Sequence, residues 1–131
     1  MKAKTIFGVL AAIHILVGLA LMGLAANADE ALKQWISGPI DPEVKQLIIR
    51  QLRVVICHSV GVGLIMLISR GMTNTDDARR VLKGYCLFSA LVLLNAGYGL
   101  LFGHAPPIPV LIMYIVGFGL AAYGTTKAEV G

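Results

Sequence analysis

Long apolar segments separated by short polar ones dominate this chain. Four such segments lie at about residues 5–26, 54–69, 84–103 and 109–125, and none has a Lys, Arg, Asp or Glu in its central part. The hydrocarbon core of a bilayer is about 30 Å thick, and a helix crosses it with about 20 residues at 1.5 Å each. The pattern therefore predicts four transmembrane helices.

Helix-start signals extend two of these segments. Asp41 is a suitable N-cap, Pro42 suits the first helical position, and Glu43 complements the positive end of the helix dipole. The second helix is thus expected to begin near residue 41 and to run unbroken into its apolar part. Asn74 or Thr75 can cap the third helix in the same way. The predicted spans are about 5–26, 42–70, 76–103 and 107–126.

The connections between the spans predict how the helices pack. The last connection, residues 104–108, is so short that helices three and four must be antiparallel neighbours. The first connection contains Trp35, which favours the membrane interface, and residues 31–37 are expected to form a short helix along the surface. We predict an all-α membrane protein of one domain over residues 1–131. Its fold is an antiparallel up-down-up-down bundle of four transmembrane helices, with the short interfacial helix between helices one and two.

Composition favours a membrane protein over other classes. The 131 residues are 57% hydrophobic and only 14% charged, whereas about 25% of a soluble domain is charged. The net charge of +4 does not predict nucleic-acid binding, because the basic residues flank the apolar segments, as they do in membrane proteins. Cys57 and Cys86 lie inside apolar segments, so neither indicates a disulfide framework.

The first apolar segment also has the layout of a secretory signal peptide. Lys2 and Lys4 precede it, and the small residues at 26–28 resemble a cleavage site. Its apolar stretch of about 20 residues exceeds the roughly 7–15 that are typical of a signal peptide. We therefore expect an uncleaved transmembrane helix.

Lysine and arginine are distributed unequally between the two sides of the predicted bundle. The side of the termini has seven: Lys2, Lys4, Arg70, Arg79, Arg80, Lys83 and Lys127. The opposite side has four: Lys33, Lys45, Arg50 and Arg53. Since short cytoplasmic segments of membrane proteins are enriched in basic residues, we expect a multi-pass inner-membrane protein with both termini in the cytoplasm.

Two histidines lie inside predicted spans, where ionisable side chains are often functional. His14 and His58 are expected at comparable depth on adjacent antiparallel helices, so both should point into the bundle and lie near each other. Such a pair could ligate a haem iron or relay protons. Alternatively, each is a neutral histidine that bonds to a polar group of a neighbouring helix.

A pair of arginines occupies one face near the start of the second helix. Arg50 and Arg53 are one turn apart. Their guanidinium groups could bind a phosphate or carboxylate of a ligand, or they could extend to lipid headgroups.

Polar side chains also interrupt the third helix, where Asn95 and Tyr98 share a face. An unpaired amide is costly in hydrocarbon, so Asn95 is expected to be buried and hydrogen-bonded between helices. The complete set of ligand-binding candidates is His14, Arg50, Arg53, His58, Asn95 and Tyr98.

Two resemblances to known families bear on these residues. Arg53-Val54 followed by His58 resembles part of the helix-two signature of the membrane-associated eicosanoid and glutathione enzymes. Ile56 and Val60 stand where that signature has Arg and Asn, so a glutathione site is not implied. The layout of four short spans with a tight Pro-rich last hairpin is similar to that of small bacterial membrane proteins of the DoxX-like type.

Three functional hypotheses follow from this sequence, which has no paired carboxylates, no nucleophile with a base and no Cys-x-x-Cys motif. The first is a non-enzymatic membrane subunit or transporter-like protein of unknown ligand. The second is a membrane redox protein that binds haem through His14 and His58. The third is a membrane enzyme acting on a lipid or lipophilic substrate near Arg50 and Arg53. The expected partners are membrane lipids and either further copies of the chain or another subunit, because its glycines offer more close-packing faces than one bundle needs.

Overall fold

The computed structural model describes residues 1–29, 39–101 and 108–130. Four long helices fill these ranges: α1 (Ala3–Ala26), α2 (Pro42–Ser69), α3 (Thr75–Leu101) and α4 (Ile108–Lys127). The four predicted spans are confirmed as helices, with ends that agree to within a few residues. The short helix predicted at residues 31–37 and most of the last connection lie outside the described residues.

Each of these helices is long and apolar enough to cross a membrane. The mean hydropathy of the most apolar stretch ranges from 1.5 in α3 to 2.4 in α1, and only 11% to 33% of the residues in those stretches are buried inside the protein. Water would meet a very large apolar surface on such a molecule, whereas hydrocarbon solvates it. The described helices therefore fit a small integral membrane protein that crosses the bilayer several times.

Capping residues start α2 and α3 as the sequence predicts. The Asp41 carboxylate accepts a 2.7 Å hydrogen bond from the Glu43 backbone N–H. From there α2 runs unbroken for 28 residues, which is about 42 Å and longer than a hydrocarbon core. The side-chain oxygen of Asn74 accepts from the backbone N–H of Asp76 at 2.8 Å and of Asp77 at 3.4 Å. Asn74, rather than Thr75, is thus the cap of α3.

Helix α1 holds the bundle together. It packs most extensively on α2 and also on α4, while α3 packs mainly on α4. Glycine allows the close approach of α1 and α2, because a Cβ on Gly63 would lie 2.7 Å from Cγ1 of Ile15 and a Cβ on Gly18 would lie 2.7 Å from Cγ2 of Val60. Helix α2 has few close backbone contacts with α3 or α4. The side of the bundle between α2 and α3 is therefore its most loosely packed side.

Backbone contacts join the two ends of the chain. The Ala3 N–H donates to the carbonyl oxygen of Glu129 at 2.8 Å, and the Val130 N–H donates to the Thr75 hydroxyl at 3.3 Å. The Arg79 side chain donates to the carbonyl oxygen of Ala128 at 3.1 Å. The beginnings of α1 and α3 and the end of α4 thus meet at one end of the molecule, which we call the terminal end.

Candidate functional site

A buried histidine occupies the middle of the bundle. His14 lies at the centre of α1 and has no exposed surface. Its Nε2 atom shares a 2.6 Å hydrogen bond with the hydroxyl of Tyr85 on α3. The prediction that His14 points into the bundle is confirmed. The imidazole and the hydroxyl each serve as the hydrogen-bond partner of the other, in a region where lipid offers none.

Aromatic rings surround this hydrogen bond. The His14 ring meets the rings of Tyr85 and Tyr114 nearly at right angles, with centroids 5.5 Å and 5.6 Å apart. Phe88 lies 5.7 Å from Tyr114 and 5.1 Å from His58. The contacts of His14 with both tyrosines and of Phe88 with Tyr114 are edge-to-face, a geometry that is favourable for aromatic side chains. We call His14, His58, Tyr85, Phe88 and Tyr114 the ring cluster; it draws residues from all four helices.

Hydrogen-bonding capacity remains unused beside the ring cluster. Within the described ranges, three buried side-chain atoms have no hydrogen bond of good geometry: Nδ1 of His14, Oγ of Ser59 and Oγ of Ser89, the last of which lies close to the Tyr85 hydroxyl. Ser59 lies on α2 against Gly18, one helical turn from His14, and Ser89 lies one turn from Tyr85. Unpaired polar atoms are expensive away from water. We call His14, Tyr85 and the two serines the polar centre.

Gly117 of α4 creates the space for Tyr85. A Cβ at position 117 would collide with the Tyr85 hydroxyl and lie 3.1 Å from its Cζ atom. Tyr85 can therefore reach His14 only because α4 has no side chain at this position. The nearby Gly119 has open space around it, so the glycines of α4 differ in what they do.

His58 departs from its prediction. Its side chain is exposed, and its ring lies against Phe88 at an interplanar angle of 31°. Ser59, the next residue, faces α1 instead, and one residue along a helix is a rotation of about 100°. The expectation that both histidines point into the bundle is thus wrong for His58, which lies on the loosely packed side between α2 and α3.

The geometry does not favour haem ligation by the two histidines. The Nε2 atom of His14 is engaged by Tyr85, and the exposed side chain of His58 lies against Phe88. Iron held between two histidines needs a free nitrogen from each on opposite sides of one metal. The free Nδ1 atom of His14 belongs to a fully buried ring, whereas His58 is exposed, so the two rings are not presented to one common metal position. No group of three or more His, Cys, Asp or Glu residues suited to a metal ion occurs in the described part of the chain.

Two of the polar residues of α3, Asn95 and Tyr98, lie outside the site. Asn95 and Tyr98 are both exposed, and no side-chain hydrogen bond joins Asn95 to any described residue. The packed face of α3 contains Tyr85, Ser89 and Ala96, and Asn95 is turned away from it. The expectation that Asn95 is buried between helices of this chain is therefore wrong.

The two arginines of α2 do not form a joint site in this structure. Both are exposed. Arg50 borders a surface depression of about 620 Å³ whose described lining also includes Glu43 and does not include Arg53. Among the described lining residues, the Glu43 carboxylate lies beside the Arg50 guanidinium and opposes the binding of an anion. Extension of both side chains toward lipid headgroups agrees better with this placement.

The candidates predicted from the sequence do not include three residues of this site: Tyr85, Tyr114 and Gly117. Tyr85 and Tyr114 each have a hydroxyl within an apolar segment of the sequence. Because a buried tyrosine hydroxyl usually has a hydrogen-bond partner, such a residue indicates a polar contact inside the bundle. Nothing in the sequence distinguishes Gly117 from the other glycines of α4. Its role follows only from its position opposite Tyr85.

Comparison with known proteins identifies no relative of this chain. No family model, no curated protein and no solved structure matches the chain.

Proposed function

We propose that this chain is a non-enzymatic, transporter-like protein of a bacterial-type inner membrane that binds a small lipophilic molecule at the polar centre. The observation that supports the proposal is the unused hydrogen-bonding capacity of His14 and Ser59 in the interior of a membrane bundle. A bound molecule with one or two polar atoms would satisfy these groups. Its apolar part would contact the aromatic rings.

The residues around the polar centre constrain the chemistry of this ligand. The ring cluster and the polar centre contain hydroxyl and imidazole groups, and no Lys, Arg, Asp or Glu belongs to either. A charged ligand buried there would have no counter-ion, which is costly. We infer a neutral ligand, which enters from the membrane between α2 and α3, where packing is loosest and Phe88 lies against His58.

Native mass spectrometry of the purified chain in mild detergent tests this function. The wild type should carry one small molecule per chain beyond bulk phospholipid, and His14→Leu should lose it. Tyr123→Phe, which removes an exposed tyrosine hydroxyl, should retain it. Circular dichroism would verify that all three proteins are equally helical. Identical bound species in the wild type and in His14→Leu would contradict the proposal.

The up-down-up-down arrangement and the orientation in the membrane are part of the proposal. The contacts at the terminal end support alternating helix directions, and the excess of basic residues at that end supports a cytoplasmic location. In a chain without Cys57 and Cys86, Lys2→Cys and Val130→Cys should resist a membrane-impermeant thiol reagent added to intact cells. Val44→Cys, exposed at the start of α2, should react with it. Reaction of either terminal position would reverse the proposed orientation.

A further inference from the structure

A pocket lies at the terminal end of the molecule, away from the polar centre. It is a pocket of about 410 Å³ between the start of α1 and the turn that follows α2. Its described lining consists of Lys4, Arg70, Gly71, Met72, Thr73 and Val130. We call it the terminal pocket.

Two cationic side chains border this pocket, and neither has a described counter-ion. The ion pairs of the described residues are Lys45 with Asp29 and Arg80 with Asp77; Lys4 and Arg70 belong to neither. The Thr73 hydroxyl adds a donor, and the positive end of the α1 dipole lies at the same place. Ammonium, guanidinium and hydroxyl groups around one cavity are the donors that bind a phosphate group.

Arg70 is positioned by a contact with α1. Its guanidinium lies against Gly8, where a Cβ would be 3.4 Å from the Nε atom and 3.6 Å from Cζ. Because Gly8 has no side chain, the arginine can lie along the surface of α1 on the same side as Lys4. The two positive charges are thereby brought to one cavity.

We propose that the terminal pocket binds a phosphate group through Lys4, Arg70 and Thr73. The remaining lining favours the phosphate of a membrane lipid, because Met72 and Val130 provide apolar surface and the apolar part of α1 begins beside Lys4. A soluble phosphate compound presents the same anionic group. The experiment must therefore distinguish these two sources.

Native mass spectrometry with added phosphatidylglycerol or phosphatidylcholine tests the pocket. We expect one phosphatidylglycerol per chain, and we expect roughly tenfold weaker retention in the Lys4→Gln, Arg70→Gln double variant. The Lys2→Gln, Arg80→Gln double variant removes the same charge from the same end without altering the described lining, and it should bind like the wild type. Equal loss in both double variants, or no loss in the first, would overturn the proposal.

A variant that keeps the net charge of the protein tests whether the position of Arg70, rather than the number of positive charges, determines binding. Gly8→Leu should displace Arg70 and weaken retention several-fold, whereas Gly23→Leu, in open space on the same helix, should not. If these two variants retain the lipid equally, the position of Arg70 does not determine binding, and the proposed site is contradicted.

Competition with inorganic phosphate and glycerol 3-phosphate identifies the source of the phosphate group. Displacement of the lipid at millimolar concentration indicates a soluble ligand, and resistance indicates a lipid. All variants lie away from the polar centre, so failure here leaves the proposed function intact.

Discussion

Gly117→Ala is expected to lower the free energy of unfolding by about 1–3 kcal/mol, although alanine itself favours the helix by about 1 kcal/mol. The new Cβ would collide with the hydroxyl of Tyr85. Overpacking of this kind costs about 1–3 kcal/mol. Any shift of Tyr85 that relieves the collision also stretches its bond to His14, and a lost hydrogen bond adds about 1 kcal/mol. Thermal or denaturant unfolding in detergent, followed by circular dichroism, measures the change.

Gly119→Ala provides the matched control on the same helix. Nothing lies within 4 Å of a Cβ at position 119, and alanine is a better helix former than glycine by about 1 kcal/mol. This variant should therefore be as stable as the wild type or slightly more stable. Equal destabilisation by both substitutions would mean that α4 tolerates no side chain at either position, and the specific role of Gly117 would be refuted.

The helices could be predicted from the sequence because the membrane fixes their length and their chemistry. Asp41-Pro42-Glu43 and Asn74 are local signals that act through the adjacent backbone, so they can be read without knowledge of the fold. The inward position of His14 was also predictable. A histidine at the centre of a span has no partner in lipid, and the interior of the bundle is the alternative.

The packed face of each helix could not be predicted in the same way. In a soluble protein, the polar face of a helix identifies the surface that meets water. Here lipid and bundle interior are both apolar, so α1 is hydrophobic around its whole circumference and gives no such signal. Leu10, which is buried, and Leu16, which is 65% exposed, have the same side chain in the same helix.

This ambiguity explains the two incorrect predictions. The energetic cost of exposing a polar group to lipid led to the prediction that His58 and Asn95 lie inside the bundle. Each of them, however, directly precedes a residue that occupies the packed face of its helix. Ser59 and Ala96 are buried, so their neighbours are rotated by about 100° from the interior. The rule that polar residues of a span avoid lipid therefore did not determine the direction of either side chain.

Loss of the hydrogen bond between His14 and Tyr85 is expected to have the second large effect. Tyr85→Phe retains the ring and its contact with Phe88, and it removes only the hydroxyl that lies against Gly117. His14 then keeps two buried nitrogens without a partner among the described residues. His14→Leu conversely leaves the Tyr85 hydroxyl unpaired. Each single substitution should cost about 1–3 kcal/mol, because a buried polar group loses its partner.

The double variant His14→Leu, Tyr85→Phe distinguishes this bond from general packing. When both partners become apolar, no polar atom of the pair remains unsatisfied, so the double variant should cost less than the sum of the single variants. The coupling energy between residues in contact is typically about 0.5–3 kcal/mol, and Tyr123→Phe should cost almost nothing because its hydroxyl is exposed. Additive costs in the cycle would show that His14 and Tyr85 do not share a bond in the folded protein. The polar centre would then lose the contact that defines it, and with it the basis for placing a ligand there.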